Sequence, residues 1–351
     1  NIGATGRSRL VRLQECARAA CLPPTRLDWS AAQPGWGGNT TLPMASDRYA
    51  TAIPGDMDGD GFEDLAYFDA SSRSWRVQHG GPNGFASVAV DTRAGDGSES
   101  SRAIGADLDG DGRREVLVPQ GGYWHWLRRN GTGAYTYSSS GLAAAANAGN
   151  AVAADIDGDG RDDLVFRSAS GDALRWRRSA SVAGTPAFDV EATLWQVPAG
   201  TALPTAPFVQ AVQRLRSAER SADFNDDGRT DLLVRTVPSS CAATLNCPLP
   251  ARWQVLASTG TALVAQAALD GVTDILLADL NADRLTDIIY LASGSAWQVL
   301  QGAGSRGPAL AAFAGPSMTS VSAPTVEGAS VVTDWNGDGR DTVGVYRPSA
   351  A

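Results

Sequence analysis

Six times along the 351-residue chain a dense acidic stretch gives way abruptly to a short apolar run. The runs read "DLAYF" (64–68), "EVLVP" (115–119), "DLVFR" (163–167), "DLLVR" (231–235), "DIIYL" (287–291) and "TVGVY" (342–346). Most are apolar on both faces, the pattern of a strand buried within stacked sheets. A shorter apolar segment precedes most acidic stretches, as in "AVAAD" (151–155) and "ILLAD" (275–279). A tryptophan-bearing run follows 17–30 residues after the first acid: "SWRVQ" (74–78), "YWHWL" (123–127), "LRWRR" (174–178), "RWQVL" (252–256) and "AWQVL" (296–300). Each unit therefore reads as strand, acidic loop, strand, turn, tryptophan strand and a weaker fourth strand.

The first acids of successive units lie 51, 48, 68, 56 and 55 residues apart. A repeat of this length, built from four short antiparallel strands, describes the blade of a β-propeller. The expected fold is all-β and six-bladed. The last unit, beginning at Asp334, has room for only two strands before the chain stops. Two runs near the start, "SRLVRLQECA" (8–17) and "PTRLDWS" (24–30), would complete that blade and close the ring, removing exposed sheet edges. Residues 1–46 then form the closing hairpin and a linker, and 47–351 the blades of a single domain. The alternative is seven blades, with the N-terminus forming its own.

The acids explain themselves by their spacing. Oxygens at loop positions 1, 3, 5 and 9, with a backbone carbonyl at 7, converge if the loop bends sharply, and glycine at 4 and 6 permits the bend. A set of hard oxygen donors suits Ca²⁺. Position 12, where an EF-hand places a bidentate Glu, holds Tyr67, Val118, Phe166, Val234, Tyr290 and Val345, which excludes that motif. The predicted ligand sets are Asp56, Asp58, Asp60, Phe62 and Asp64; Asp107, Asp109, Asp111, Arg113 and Glu115; and Asp155, Asp157, Asp159, Arg161 and Asp163. The fourth is Asp223, Asn225, Asp227, Arg229 and Asp231. Two weaker sets follow. Asp279, Asn281, Asp283, Leu285 and Asp287 lack the turn glycines, and Asp334, Asn336, Asp338, Arg340 and Thr342 end on a hydroxyl. Four to six Ca²⁺ are expected, in a structural role, because no mobile helices flank the loops.

Composition narrows the function. These loops hold more than half of the 38 acidic residues, so the net charge of −9 is largely a requirement for bound cations. It argues against nucleic acid as a partner. No run of about 18 apolar residues predicts membrane insertion. The chain opens on "NIGATGRSRL", which reads as a piece of a longer polypeptide or a processed form. Four cysteines form two close pairs, Cys16/Cys21 and Cys241/Cys247, expected as local disulfides in an oxidising, extracytoplasmic setting; free thiols are the alternative.

Little suggests catalysis. His79 and His125 are the two histidines; His125 is expected in the core or along the channel and His79 on a loop surface. The tryptophans are expected to fill the wedges between blades, a sugar platform being the sharper alternative. Two irregular stretches, 179–208 and 237–250, are candidates for recognition, the first lengthening blade three and the second lying opposite the acidic loops.

On these motifs the loops resemble the FG-GAP/VCBS repeats of integrin-α-like propellers, over about residues 47–347. The segment "SRLVRLQECARAACLPPTRLDW" is similar to the lead into the propeller of SpvB/TcB-type toxin-complex and RHS-repeat proteins. That resemblance implies a secreted or cell-surface, non-catalytic protein-docking module of a bacterial RHS/toxin-complex-like protein, meeting a shell component or a translocation channel. A glycan-binding lectin or adhesin is the first rival, and an enzyme with its site at the central channel the second.

Overall fold

The computed structural model describes residues 53–62, 64–81, 85–86, 88–92, 103–144, 151–181, 185, 187–204, 223–225, 227–241, 252–280, 285–292 and 296–300, together with short strands near both ends. Near the start, β1 (Arg12–Leu13) pairs with β4 (Thr25–Arg26), and β2 (Cys16–Ala17) pairs with β3 (Ala20–Cys21). The β2–β3 register sets Cys16 opposite Cys21.

Four-stranded antiparallel meanders follow. The first is β5 (Ile53–Gly55), β6 (Asp64–Asp69), β7 (Ser74–Gln78) and β8 (Val90–Asp91). The second is β9 (Ile104–Ala106), β10 (Glu115–Gln120), β11 (Tyr123–Arg129) and β12 (Tyr135–Ala143). The third is β13 (Ala151–Ala154), β14 (Asp163–Arg167), β15 (Ala173–Arg177) and β16 (Ala192–Gln196). The fourth is β17 (Thr201–Ala202), β18 (Leu232–Pro238), β19 (Arg252–Ser258) and β20 (Leu263–Asp270). The fifth is β21 (Val272–Ala278), β22 (Asp287–Ala292), β23 (Ala296–Leu300) and β24 (Val321–Ser322). A final pair joins β25 (Ser330–Thr333) to β26 (Thr342–Val345). The first strands of successive sheets are neighbours, β5 beside β9, β9 beside β13 and β21 beside β25, so the sheets are set side by side in order along the chain. This is the all-β, propeller-type arrangement that the repeat predicts.

Burial follows the sequence pattern. Strand β10 is buried at five successive positions, on both faces, as its unbroken apolar run requires. Trp75, Trp124, Trp126 and Trp176 on the third strands are all buried, and Trp75 and Trp126 fully so. These tryptophans are wedge-fillers rather than exposed stacking platforms. Truncating one of the fully buried pair would cost on the order of 3–5 kcal/mol.

The first irregular stretch falls differently from expectation. The segment 179–208 supplies β16 and then β17, so part of it opens the fourth sheet instead of enlarging the third. The segment 237–250 leaves the end of β18 remote from the acidic loop, as expected, and begins in a 3-10 turn at Ser239–Cys241 where Cys241 is disulfide-bonded. Among the described residues no helix is long and apolar enough to cross a membrane.

Candidate metal centres

Each acidic loop joins the first and second strands of its sheet. The carboxylate at position 1 closes the bend. Asp56 accepts N–H bonds from Gly59 (2.7 Å) and Gly61 (2.8 Å), and Asp107 accepts them from Gly110 (2.8 Å) and Gly112 (2.9 Å). Asp155 repeats the pattern with Gly158 (2.8 Å) and Gly160 (3.0 Å). In the fourth loop Asp223 accepts from Gly228 (2.9 Å) and Asp227 (3.2 Å).

The acid at position 9 is the buried anchor. Asp64, Asp163, Asp231 and Asp287 are wholly buried and Glu115 nearly so. Each accepts the N–H of the residue at position 2: Met57 (2.9 Å), Ile156 (3.1 Å), Phe224 (2.9 Å), Leu280 (2.9 Å) and, for Glu115, Leu108 (2.9 Å). In three loops the second carboxylate oxygen accepts an N–H from just beyond the third strand or at its end, from Gly80, Ser179 and Ser258, each at 2.8 Å. Thus the acid that starts the second strand ties the loop to the third.

Neighbouring sheets are bonded through the same loops. The N–H of position 8 in one loop donates to the carbonyl of position 1 in the loop before: Arg114 to Asp56 (2.7 Å), Asp162 to Asp107 (2.6 Å) and Thr230 to Asp155 (2.7 Å). The hydroxyls of Ser179 and Ser258 reach the previous loop as well, donating to the carbonyls of Leu108 (2.7 Å) and Ile156 (2.5 Å). The loops are therefore the seams of the assembly, which is why rigidity there matters to the whole fold.

Three loops gather cation-binding donors. Ligand atoms lie within 4.8 Å of one another in Asp107, Asp109 and Glu115, in Asp155, Asp157 and Asp163, and in Asp56, Asp58 and Asp60. Position 5 behaves unevenly: Asp60 joins its cluster, whereas Asp111 and Asp159 lie outside theirs and face Arg113 and Arg161 of their own loops. In the fourth loop Asn225 donates to Asp227 (3.1 Å), and among the described residues no three acidic side chains of that loop place ligand atoms within 4.8 Å of one another. Of the fifth predicted set, Asn281 and Asp283 lie outside the described residues, as do Asp334, Asn336, Asp338 and Arg340 of the sixth.

Whether a cation fits is answered by Asp109. Its side chain is 1% exposed, and neither carboxylate oxygen has a hydrogen-bond partner. The nearest cationic group, Arg128 Nη1, stands 3.8 Å away. An ionised carboxylate buried so barely compensated is costly unless a cation joins it. Buried acids of this loop and of the two that follow carry the same strain. Burial pushes Glu115 up to about 9, Asp107 to about 6, and Asp163 and Asp231 to about 7. An all-oxygen donor set with these features fits Ca²⁺.

Sequence reasoning missed the arginines and a histidine that reach the loops. Arg129 Nη1 lies 3.0 Å from Asp58, and Arg178 pairs with Asp157 and Asp159. His79, expected on a loop surface, is half-buried against the first loop with Nδ1 3.2 Å from Asp58 and from Asp64. His125 is partly exposed, stacked on Tyr137 at 5.1 Å, not packed in the core.

Comparison with known proteins supports this architecture. The family model described as an FG-GAP-like repeat matches residues 56–118 and 107–166, each match running from one acidic loop through the next loop and into the strand after it. No curated protein sequence matches significantly. Among solved structures, an Agrocybe aegerita lectin that recognises non-reducing terminal N-acetylglucosamine superposes with a TM-score of 0.55 at 16% identity, over 83% of this chain and 73% of the lectin. The exotype rhamnogalacturonan lyase YesX gives a TM-score of 0.34 at 14% identity, over 72% of this chain and 47% of the lyase. The V. cholerae biofilm matrix protein Bap1 gives 0.28 at 15% identity, over 72% of this chain and 37% of Bap1. With its loops, its sheets and the family-model match in agreement, the chain carries FG-GAP-like repeats over residues 56–166 within an all-β fold of propeller type.

Proposed function

We propose that this protein is a non-catalytic, calcium-stabilised propeller that acts as a protein-docking module, within a secreted bacterial protein of the RHS/toxin-complex kind. The observation that carries the calcium reading is the buried carboxylate of Asp109, which has no hydrogen-bond partner, beside Asp107 and Glu115. When bound, the ion would supply charge neutralisation and cross-linking at the seams between sheets. Asp107, Asp109 and Glu115, and their counterparts in the first and third loops, would hold it. The docking reading rests on the rigid array of sheets and on the N-terminal "LQEC" and "CLPPT" segments; closure of the ring by β1 and β4 belongs to the same proposal. Burial of Trp75, Trp124, Trp126 and Trp176 speaks against a glycan platform built from those four.

The test is thermal melting of protein stripped with EDTA and then restored with Ca²⁺, alongside a calorimetric count of ions. An ion at a hundred times its dissociation constant adds about 2.7 kcal/mol per site. Several bound equivalents and a melting temperature many degrees higher in Ca²⁺ are expected. A curve indifferent to both chelator and calcium would refute the reading.

A further inference from the structure

The first loop differs from the others in one donor atom. His79 stands fifteen residues after Asp64, and the residue at that offset in the third unit is Arg178, fifteen after Asp163. Arg178 brings a fixed guanidinium charge to Asp157 and Asp159, which cannot coordinate a metal. His79 brings an imidazole instead. Its Nδ1 lies 3.2 Å from both Asp58 Oδ2 and Asp64 Oδ2, and the three residues place ligand atoms within 4.8 Å of one another. That nitrogen is shielded from solvent and makes no well-aligned hydrogen bond. The opposite nitrogen, Nε2, is 3.4 Å from Tyr135 Oη, with the two rings tilted 31° at 6.0 Å. In the tautomer that donates Nε2–H to Tyr135, the Nδ1 lone pair faces the carboxylates. An outer partner of this kind is how ligating histidines are oriented.

We propose that Asp58, Asp64 and His79 form a mixed nitrogen–oxygen site for a divalent first-row transition ion such as Zn²⁺ or Co²⁺, distinct in preference from the oxygen-only loops at 107–115 and 155–163. This deepens the cation-binding reading of the loops and rests on it. Imidazole favours borderline ions, whereas carboxylate and carbonyl sets suit Ca²⁺. Donors held at Zn²⁺ distances of about 2.0–2.2 Å stand roughly 3–3.5 Å from one another, a spacing that the two 3.2 Å separations meet. Asp58 also belongs to the cluster with Asp56 and Asp60, so further oxygens are at hand. The ion must share Asp58 with Arg129, whose Nη1 is 3.0 Å from Oδ2. The competing account is a plain ion pair, a protonated His79 lying between two carboxylates with no metal.

The sequence makes the experiment simple, because His125 is the one other histidine and stacks on Tyr137 away from the loops. Chelator-stripped protein is titrated with Zn²⁺ or Co²⁺ in saturating Ca²⁺, following the imidazole ring protons by NMR and the visible absorption of Co²⁺. The expected result is one tight equivalent that shifts the His79 resonances and leaves His125 unmoved. His79→Gln and Asp58→Asn should each weaken that equivalent by at least tenfold, while His79→Gln keeps its calcium-dependent melting. A titration that moves neither ring, or only His125, overturns the proposal, as does a His79→Gln variant that binds Zn²⁺ like the parent. Calcium uptake by the remaining loops, counted in the same samples, reports separately on the broader reading.

Discussion

Arg161 lies across Gly110: a Cβ at residue 110 would stand 3.1 Å from Arg161 Cγ and 3.3 Å from the carbonyl oxygen of Gly160. The relationship recurs, with Arg113 across Gly59 and Arg229 across Gly158, each approaching to 3.1 Å. Position 7 of one loop thus packs on position 4 of the loop before. Glycine at position 4 answers two demands, a positive φ (+71° at Gly110) and the close passage of an arginine from the adjacent sheet.

Gly110→Ala should therefore cost about 1–3 kcal/mol, combining left-handed strain with the displaced arginine. Gly112→Ala is the control. Its φ is +82°, but no atom lies within 4 Å of where the new methyl would sit, so it suffers the strain alone. Thermal melts in Ca²⁺ should rank Gly110→Ala as clearly the more damaging; equal losses would refute the packing argument.

Asp109→Asn should have opposite effects in the two metal states. Without calcium it removes a carboxylate that is buried and without hydrogen bonds, so the melting temperature should rise. With calcium it removes a charged ligand, so the gain on adding Ca²⁺ should shrink. Melts in EDTA and in excess Ca²⁺ check this, and a variant less stable than the parent in both would contradict it.

The pH dependence of the metal-free protein follows from the buried acids. Burial raises Glu115 from its ordinary 4.5 to about 9, and Asp163 and Asp231 from 3.8 to about 7. The folded chain then holds protons that the unfolded chain releases. The stability this confers is complete below about pH 4 and drains away as pH rises through 7 and then 9. In EDTA the melting temperature should fall between pH 5 and 8, and Glu115→Gln should flatten the upper part of that fall. In saturating Ca²⁺ the decline should largely vanish, because the ion holds the carboxylates ionised. A metal-free protein equally stable at pH 5 and pH 8 would count against the role of burial.

Much of the fold is legible in the sequence because its determinants are local. An apolar run such as "EVLVP" must hide both faces, and it does so in β10. The six acidic phrases set the period, and the third-strand tryptophans fall where the spacing puts them. His79 sits elsewhere than expected, and His125 outside the core, because a residue's distance from a loop in another part of its sheet depends on strand length and twist, which periodicity does not report. The segment 179–208 divides between two sheets for a related reason: nothing in its composition marks where one sheet ends and the next begins.

What the sequence determined alone was the unit: four strands, an acidic loop bent at its glycines, and an acid at the ninth loop position opening the second strand. Those features arise from bonds and burial within a single repeat. What only the tertiary structure decided was which charges meet. Arg161 reaches Gly110, Ser179 reaches the carbonyl of Leu108, and Asp109 is left nearly without a counter-charge, through contacts between one repeat and the next. Electrostatic energy depends on distance and burial together, and both are set when the sheets pack side by side.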